Sequence, residues 1–521
     1  MNEAVASGPA ASRHKKRLGT QGTMKVVMVA LALLGQLGLL YYLVDTLRSH
    51  SLYIYFLLEV LGAVTIIFVV ARHRNSAYTI VWLVIMMALP VFGYLLFLLW
   101  GTTGLTHKRS HQVRNSVDYG NHFAPQDPAI YQDFVCQQPD QQRLGTYLVK
   151  EGFPIYNHTR ASYYPLGEEQ FEQLILDLEQ ASRFVFIEYF IIAEGRIWDR
   201  IHDTLREKVR QGVEVRILMD EFGSITKISN SFVEELRSEG LKVMMFNPLH
   251  TNIFRMFINY RNHQKITVID GNIGYTGGTN IADEYVNLDK KHGHWKDTAI
   301  RLEGQAVWGL TVTFLQMWDS EYATRSDYPR YRPTVQLPCP GYYQPFADGP
   351  VNPKNPAQEV FLQIIGEAHQ YVWITTPYLV IDSAMHDMLC MAAKGGIDVR
   401  IVTPRIWDHW YVHMVTRSNY ESLMEAGVRI YEYTPGFMHA KLILSDDNSA
   451  VMGSINMDYR SFFLHFENGV WICGSPVLDD IKRDLLDIFA VSEEINPAEW
   501  KNLPKCAKFG QNVLRIFAPL F

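Results

Sequence analysis

HQKITVID at 263–270 and HAKLILSD at 439–446 share the pattern HxKxxxxD, and the likeness continues beyond it. Gly277 and Gly453 each stand 14 residues after their His, and Asn280 and Asn456 each stand 17 after. Upstream the match extends through paired segments in the same order. FVFIEYFII (184–192) corresponds to YVWITTPYLVI (371–381), GVEVRILMD (212–220) to GIDVRIVTP (396–404), and LRSEGLKVMMFNP (236–248) to LMEAGVRIYEYTP (423–435). A register held over that distance implies duplication, hence two lobes of one architecture.

The runs VRILM and VRIVT are short, rich in β-branched residues and preceded by Gly, as expected of strands covered on both faces, and helical patterns separate them. The predicted fold is therefore α/β, with each lobe an α-β-α sandwich, over 151–335 and 336–490. No GxGxxG or GxxxxGK[ST] follows a predicted strand, so a nucleotide cofactor is not indicated.

Residues two apart on a strand share a face, which lets His263 with Lys265, and His439 with Lys441, point into one pocket. Asp270 and Asp446 complete the six motif positions of the candidate catalytic site. At +7 their parity is opposite, so bracing of the following turn is expected of them. Two imidazoles, two ammoniums and two amides suit phosphoryl transfer, with Lys265, Lys441, Asn280 and Asn456 neutralising phosphate oxygens. Each imidazole then needs a carboxylate on its other nitrogen to fix its tautomer. Asp297 in HWKD, 34 residues after His263, and Glu467 in HFE, 28 after His439, are the candidates. A metal is not expected, because Lys is not a usual ligand and no carboxylate–histidine pattern of hydrolytic metal sites occurs.

Residues 24–44 carry one charge, Lys25, and are long enough to cross a hydrocarbon core. Two further apolar segments follow, 52–71 and 77–100, the latter interrupted by Pro90 and Gly93. The expected organisation is a basic tail over 1–23, a membrane anchor of transmembrane helices over 24–104 and a polar connector over 105–150. Arg13, Lys15, Lys16, Arg17 and Lys25, then Arg72 and Arg74, point to the cytoplasm. Three spans would carry the lobes to the extracytoplasmic side, against a weaker opposing pull from Lys108, Arg109 and Arg114. Residues 491–521 mix aromatic and basic side chains, which suits either an anionic lipid surface or an amphipathic helix closing the second lobe. The net charge of −6 offers no general attraction for nucleic acid, and the five cysteines lack disulfide or zinc spacing.

At RNHQKITVID, YTGGTN, MHAKLILSD and GSINMDYRSF, and in the pattern from Trp82 to Gly101, the chain resembles the bacterial cardiolipin synthases of the phospholipase D superfamily. That resemblance implies transfer of a phosphatidyl group between two phosphatidylglycerol molecules, yielding cardiolipin and glycerol through a phosphatidyl-histidine, without cofactor or metal. It further implies His263 as nucleophile, His439 as general acid and base, Asp297 and Glu467 behind the histidines, and location in the bacterial cytoplasmic membrane. Two departures stand out: Asp447 follows the second motif where Gly is usual, and His465 replaces the usual Asn beside Glu467. The rival readings are a membrane-bound phospholipase D that hydrolyses lipids to phosphatidic acid and, from another class, a non-catalytic membrane scaffold.

Overall fold

A computed structural model of the chain describes residues 34, 35, 38, 41, 42, 51–72, 76–89, 92–97, 107–247, 260–322, 325–352, 355–502 and 504–520. These fall into two units: one holds the N-terminal helices, the other both lobes.

In the N-terminal unit, the apolar segments predicted over 52–71 and 77–100 form the helices Ser51–Arg72, Ser76–Ala88 and Phe92–Leu96. Val69, Tyr78, Trp82, Met86 and Phe97 make a small core, with the Trp82 and Phe97 rings edge to face at 5.4 Å. The segment predicted over 24–44 lies outside the described residues except for five isolated positions, and so does Pro90. Counted over the described residues, no helix is long and apolar enough to cross a membrane, and the side chains of Ser51–Arg72 are described only in part.

The first lobe contributes β1 (Thr159–Tyr164), β2 (Phe184–Tyr189), β3 (Glu214–Asp220), β4 (Lys242–Phe246), β5 (Lys265–Ile269), β6 (Ile273–Gly277), β7 (His294–Lys296) and β8 (Ala299–Gly304). The second contributes β9 (Tyr342–Asp348), β10 (Tyr371–Thr375), β11 (Asp398–Pro404), β12 (Arg429–Tyr433), β13 (Gly436–Met438), β14 (Leu442–Ser445), β15 (Ser449–Gly453), β16 (Glu467–Cys473) and β17 (Ser492–Glu494). The sheets run β1-β8-β6-β5-β2-β3-β4 and β9-β16-β15-β14-β10-β11-β12-β17, the same order apart from the added β17. In each, three parallel strands are followed by antiparallel ones that begin at the motif. Because β2, β3 and β10 are covered by helices on both faces, they are almost wholly buried, which explains their unbroken apolar runs.

One expectation needs correction. Residues 105–150, read as a polar connector without sustained periodicity, are mainly helical: His107–Asn121, Pro128–Gln137 and Gln142–Lys150. Phe134, Leu144 and Leu148 join the second-lobe core, and Ser116 donates to Gln316 O at 2.7 Å. Ile130, Tyr131, Phe134 and Val135, and then Leu144, Tyr147 and Leu148, recur at the three- and four-residue spacings that a helix brings to one face, whereas His107–Asn121 has few apolar positions and depends on tertiary contacts. Over 491–521, β17 extends the second sheet and Trp500 is buried in the second-lobe core. The helix Lys505–Ile516 leaves Phe509, Val513 and Ile516 exposed.

Asp270 and Asp446 occupy equivalent turns with φ of 55° and 51°. Asp270 accepts main-chain N–H groups of Ser182, Arg183 and Phe184 at 2.7–2.9 Å, and Asp446 those of His369, Gln370 and Tyr371 at 2.7–2.9 Å. Each carboxylate thus ties the end of its motif strand to the start of the central strand beside it. Asp447 also has positive φ, 58°, where Gly271 stands in the first lobe at 74°. Its carboxylate is held there by Tyr371 Oη and Lys482 Nζ, at 2.7 and 2.8 Å. Asp446→Ala should lower stability by about 2 kcal/mol through the loss of these acceptors, seen as a lower denaturant midpoint. Its effect on turnover should be far smaller than that of either motif histidine.

Candidate active site

Both motif histidines sit one residue beyond a short pairing between the lobes. Asn262 bridges Phe466, and Met438 in β13 pairs with Lys296 in β7, both in parallel. The next residues are therefore neighbours: His263 with Glu467, and His439 with Asp297. Main-chain bonds fix this register, from His263 N–H to Phe466 O at 2.9 Å and from His439 N–H to Lys296 O at 2.7 Å. The pairing is crosswise, each lobe supplying the carboxylate for the other lobe's imidazole.

His263 Nδ1 lies 2.9 and 3.0 Å from the two Glu467 oxygens, and His439 Nδ1 lies 2.5 Å from Asp297 Oδ2. With Nδ1–H donated to a carboxylate, Nε2 is the nitrogen left for chemistry on each ring. Both carboxylates are fully buried. Glu467 is further held by the hydroxyls of Ser454 and Ser461, the latter at 2.7 Å. Asp297 Oδ1 accepts the Thr298 N–H at 2.9 Å.

The glycines at +14 allow this arrangement by close approach. A Cβ on Gly277 would stand 2.3 Å from Thr298 O, and one on Gly453 would stand 2.2 Å from Asn468 O, the residues following the two carboxylates. Any side chain there would push the carboxylate strand away from its histidine.

Aromatic rings exclude water around the imidazoles: Phe190 lies 5.0 Å from His263, and Tyr285 and Trp295 lie 5.3 and 5.2 Å from His439. Burial, followed by Lys265 and Lys441, holds the His263 imidazole well below its ordinary value. Burial and Lys441 bring His439 down to about 4 against the pull of Asp297. Burial likewise lowers Lys265 to about 7 and Lys441 to about 8. Lys265 Nζ donates to His263 O at 2.7 Å, and Lys441 Nζ donates to His439 O and stands 3.0 Å from His439 Nδ1. A phosphodiester entering this pocket would meet two ammoniums and two imidazoles in a dry setting, where charge interactions are strongest.

The two asparagines differ. Asn280 Oδ1 accepts the Ile191 N–H at 3.0 Å and its amide donates to Tyr285 Oη at 2.7 Å, so the pocket wall engages both ends. Asn456 is buried with Oδ1 unpartnered among the described residues. Ser454, Ser461, Phe190, Tyr285 and Trp295 are absent from the sequence-based set. Ser454 carried a signal, standing directly after the +14 Gly; the aromatics carried none, because their closeness to a histidine is purely tertiary.

A family model described as cardiolipin synthase, PLD-like domain, matches residues 174–307 and 361–488, and one described as phospholipase D-nuclease N-terminal matches 53–101. A cardiolipin synthase of Geobacillus kaustophilus is 34% identical over 472 residues, 89% of this chain and 94% of its own. One from Staphylococcus aureus is 32% identical over 480 residues, 89% of this chain and 95% of its own. Among solved structures, phosphatidylserine synthase of Haemophilus influenzae superposes with a TM-score of 0.56 at 16% identity, over 73% of this chain and 98% of its own, a likeness of fold. The duplicated lobes and shared pocket define a phospholipase D-type protein. Within that class the chain belongs to the cardiolipin synthase family.

Proposed function

We propose that the protein transfers a phosphatidyl group from one phosphatidylglycerol to another, forming cardiolipin and releasing glycerol. The observation carrying this reading is the crosswise pair of carboxylate-oriented imidazoles with lysines between them, in a chain of the cardiolipin synthase family. His263 Nε2 attacks phosphorus, and the departing glycerol oxygen takes a proton from His439 Nε2. The phosphatidyl-histidine is resolved when His439 accepts the proton of a second phosphatidylglycerol hydroxyl, whose oxygen attacks phosphorus and frees His263. Burial and neighbouring ammoniums keep His263 neutral, as a nucleophile requires. Asp297 favours the charged form of His439, but burial and Lys441 outweigh it in the free protein, so the ring takes up the proton it donates only with the phosphodiester anion bound beside it. Lys265, Lys441 and Asn456 neutralise phosphate oxygens, while Asn280 shapes the wall through Tyr285.

Purified protein given phosphatidylglycerol alone should form cardiolipin and glycerol in equal amounts. Phosphatidic acid as main product would favour the hydrolase. On the alkaline side, kcat/KM should begin to fall near pH 7 as Lys265, and fall further near pH 8 as Lys441, lose the protons that bind phosphate. A pH–rate profile measures this limb, and Lys441→Arg should remove its second step.

The reading includes a multi-pass anchor over 24–104 in the bacterial cytoplasmic membrane, with the lobes extracytoplasmic. The helix Ser51–Arg72 exposes Tyr53, Phe56, Leu57, Val64 and Ile67. Such apolar exposure suits lipid better than water. Cys506 is exposed, so a membrane-impermeant thiol reagent should label it in intact cells; labelling only after lysis would place the lobes inside.

A further inference from the structure

Beside the His263–Glu467 couple stands a third group that the transfer reaction does not use. His465, in the turn before β16, has a side chain nine-tenths buried. Neither ring nitrogen has a hydrogen-bond partner among the described residues. Nδ1 is 3.7 Å from Glu467 Oε1, beyond hydrogen-bonding distance, and the His465 and His263 rings are 5.6 Å apart. A buried polar group left unpaired is costly, and here a ring with one donor and one acceptor nitrogen lies beside a carboxylate and another imidazole.

These groups form a ligand set. One atom from each of His263, His465 and Glu467 lies within 4.8 Å of the other two. In a tetrahedral zinc site with ligand distances near 2.0–2.2 Å, neighbouring donor atoms stand about 3.3 Å apart. The present separations from Glu467 Oε1, 2.9 Å to His263 Nδ1 and 3.7 Å to His465 Nδ1, bracket that value. The third edge, between the two imidazoles, is no longer than 4.8 Å. Two imidazoles and a carboxylate suit zinc and its late first-row neighbours and are poorly matched to magnesium, which prefers oxygen.

We propose that His263, His465 and Glu467 form an inhibitory binding site for a zinc-type divalent cation. The cation takes the place of the Nδ1 proton shared by His263 and Glu467, and that proton passes to solvent. His263 then loses the hydrogen bond that orients it and its Nε2 no longer faces phosphorus correctly, so turnover stops while the fold is intact. Lys265 and Lys441 oppose a cation nearby, so affinity falls below that of a structural zinc site and inhibition is reversible by chelation.

The experiment uses the full chain in detergent, freed of metal by chelation, then titrated with zinc chloride and, in parallel, magnesium chloride. Zinc should suppress cardiolipin formation, magnesium should not, and chelator should restore it. His465→Asn should turn over in metal-free buffer while needing on the order of 10- to 100-fold more zinc for half-inhibition. Cobalt chloride gives a readout independent of lipid chemistry: the visible absorption of tetrahedral cobalt should appear with the wild-type protein and be lost in His465→Asn. His465→Gln serves the same comparison if the Asn variant does not fold. Equal zinc sensitivity in wild type and variant, or a cobalt band that survives the substitution, would overturn the site.

Discussion

His263→Ala and His439→Ala should each lower cardiolipin formation on the order of 10⁴-fold, yet the two variants should fail at different points. Without His263 no phosphorus–nitrogen bond can form. Without His439 the bond can form slowly, but the acceptor hydroxyl has no base, so labelled lipid should remain attached to the protein. Incubation with phosphorus-labelled phosphatidylglycerol followed by denaturing electrophoresis reads this directly. Label retained only by His263→Ala would reverse the assigned roles, and full lipid turnover in both variants would leave the scaffold reading standing.

The second large effect concerns the carboxylates. Asp297→Asn and Glu467→Gln keep shape and volume but replace an anionic acceptor with an amide, whose NH₂ end can turn toward the imidazole and impose the wrong tautomer. Turnover should fall on the order of 10²- to 10⁴-fold in each. The crosswise geometry adds a sharper expectation. Asp297→Asn should behave like His439→Ala and trap label, because Asp297 orients His439 at 2.5 Å, whereas Glu467→Gln should behave like His263→Ala and form little adduct. If carboxylate and histidine from the same lobe shared a phenotype instead, the pairing described here would be wrong. Whichever histidine proves to be the nucleophile, this test holds, since it asks only which carboxylate travels with which ring.

Much of this was legible in the residues. The repeated register of His, Lys, Asp, Gly and Asn announced two equivalent lobes, and strand parity was enough to turn Asp270 and Asp446 away from the pocket and toward the turns they brace. Asp297 and Glu467 were recognisable as the carboxylates behind the histidines because each follows its Gly-x-x-Asn segment at a comparable distance. The helices within 107–150 were only partly legible: Ile130, Tyr131, Phe134 and Val135, and Leu144, Tyr147 and Leu148, stand at helical spacing, but the segments are short and polar and the surface those residues bury is supplied by the second lobe. Asn280 is a further case, since its spacing marked it for phosphate although its amide reaches Tyr285, a partner five residues away that only the turn geometry brings near.

The amino-acid sequence by itself determined the chemistry available to this protein: two imidazoles, two lysines and two acids in duplicated α/β units, because motif spacing and strand alternation are local properties of a chain. Which acid serves which imidazole was decided only in the tertiary structure. The distance along the chain from His263 to Asp297 is shorter than that to Glu467, yet the bridge between Asn262 and Phe466 places Glu467 beside it, and the pairing of Met438 with Lys296 does the same for Asp297 and His439. Two short main-chain contacts between lobes therefore turn a pair of half-sites into one pocket, and no local rule could have shown that each half is completed by the other.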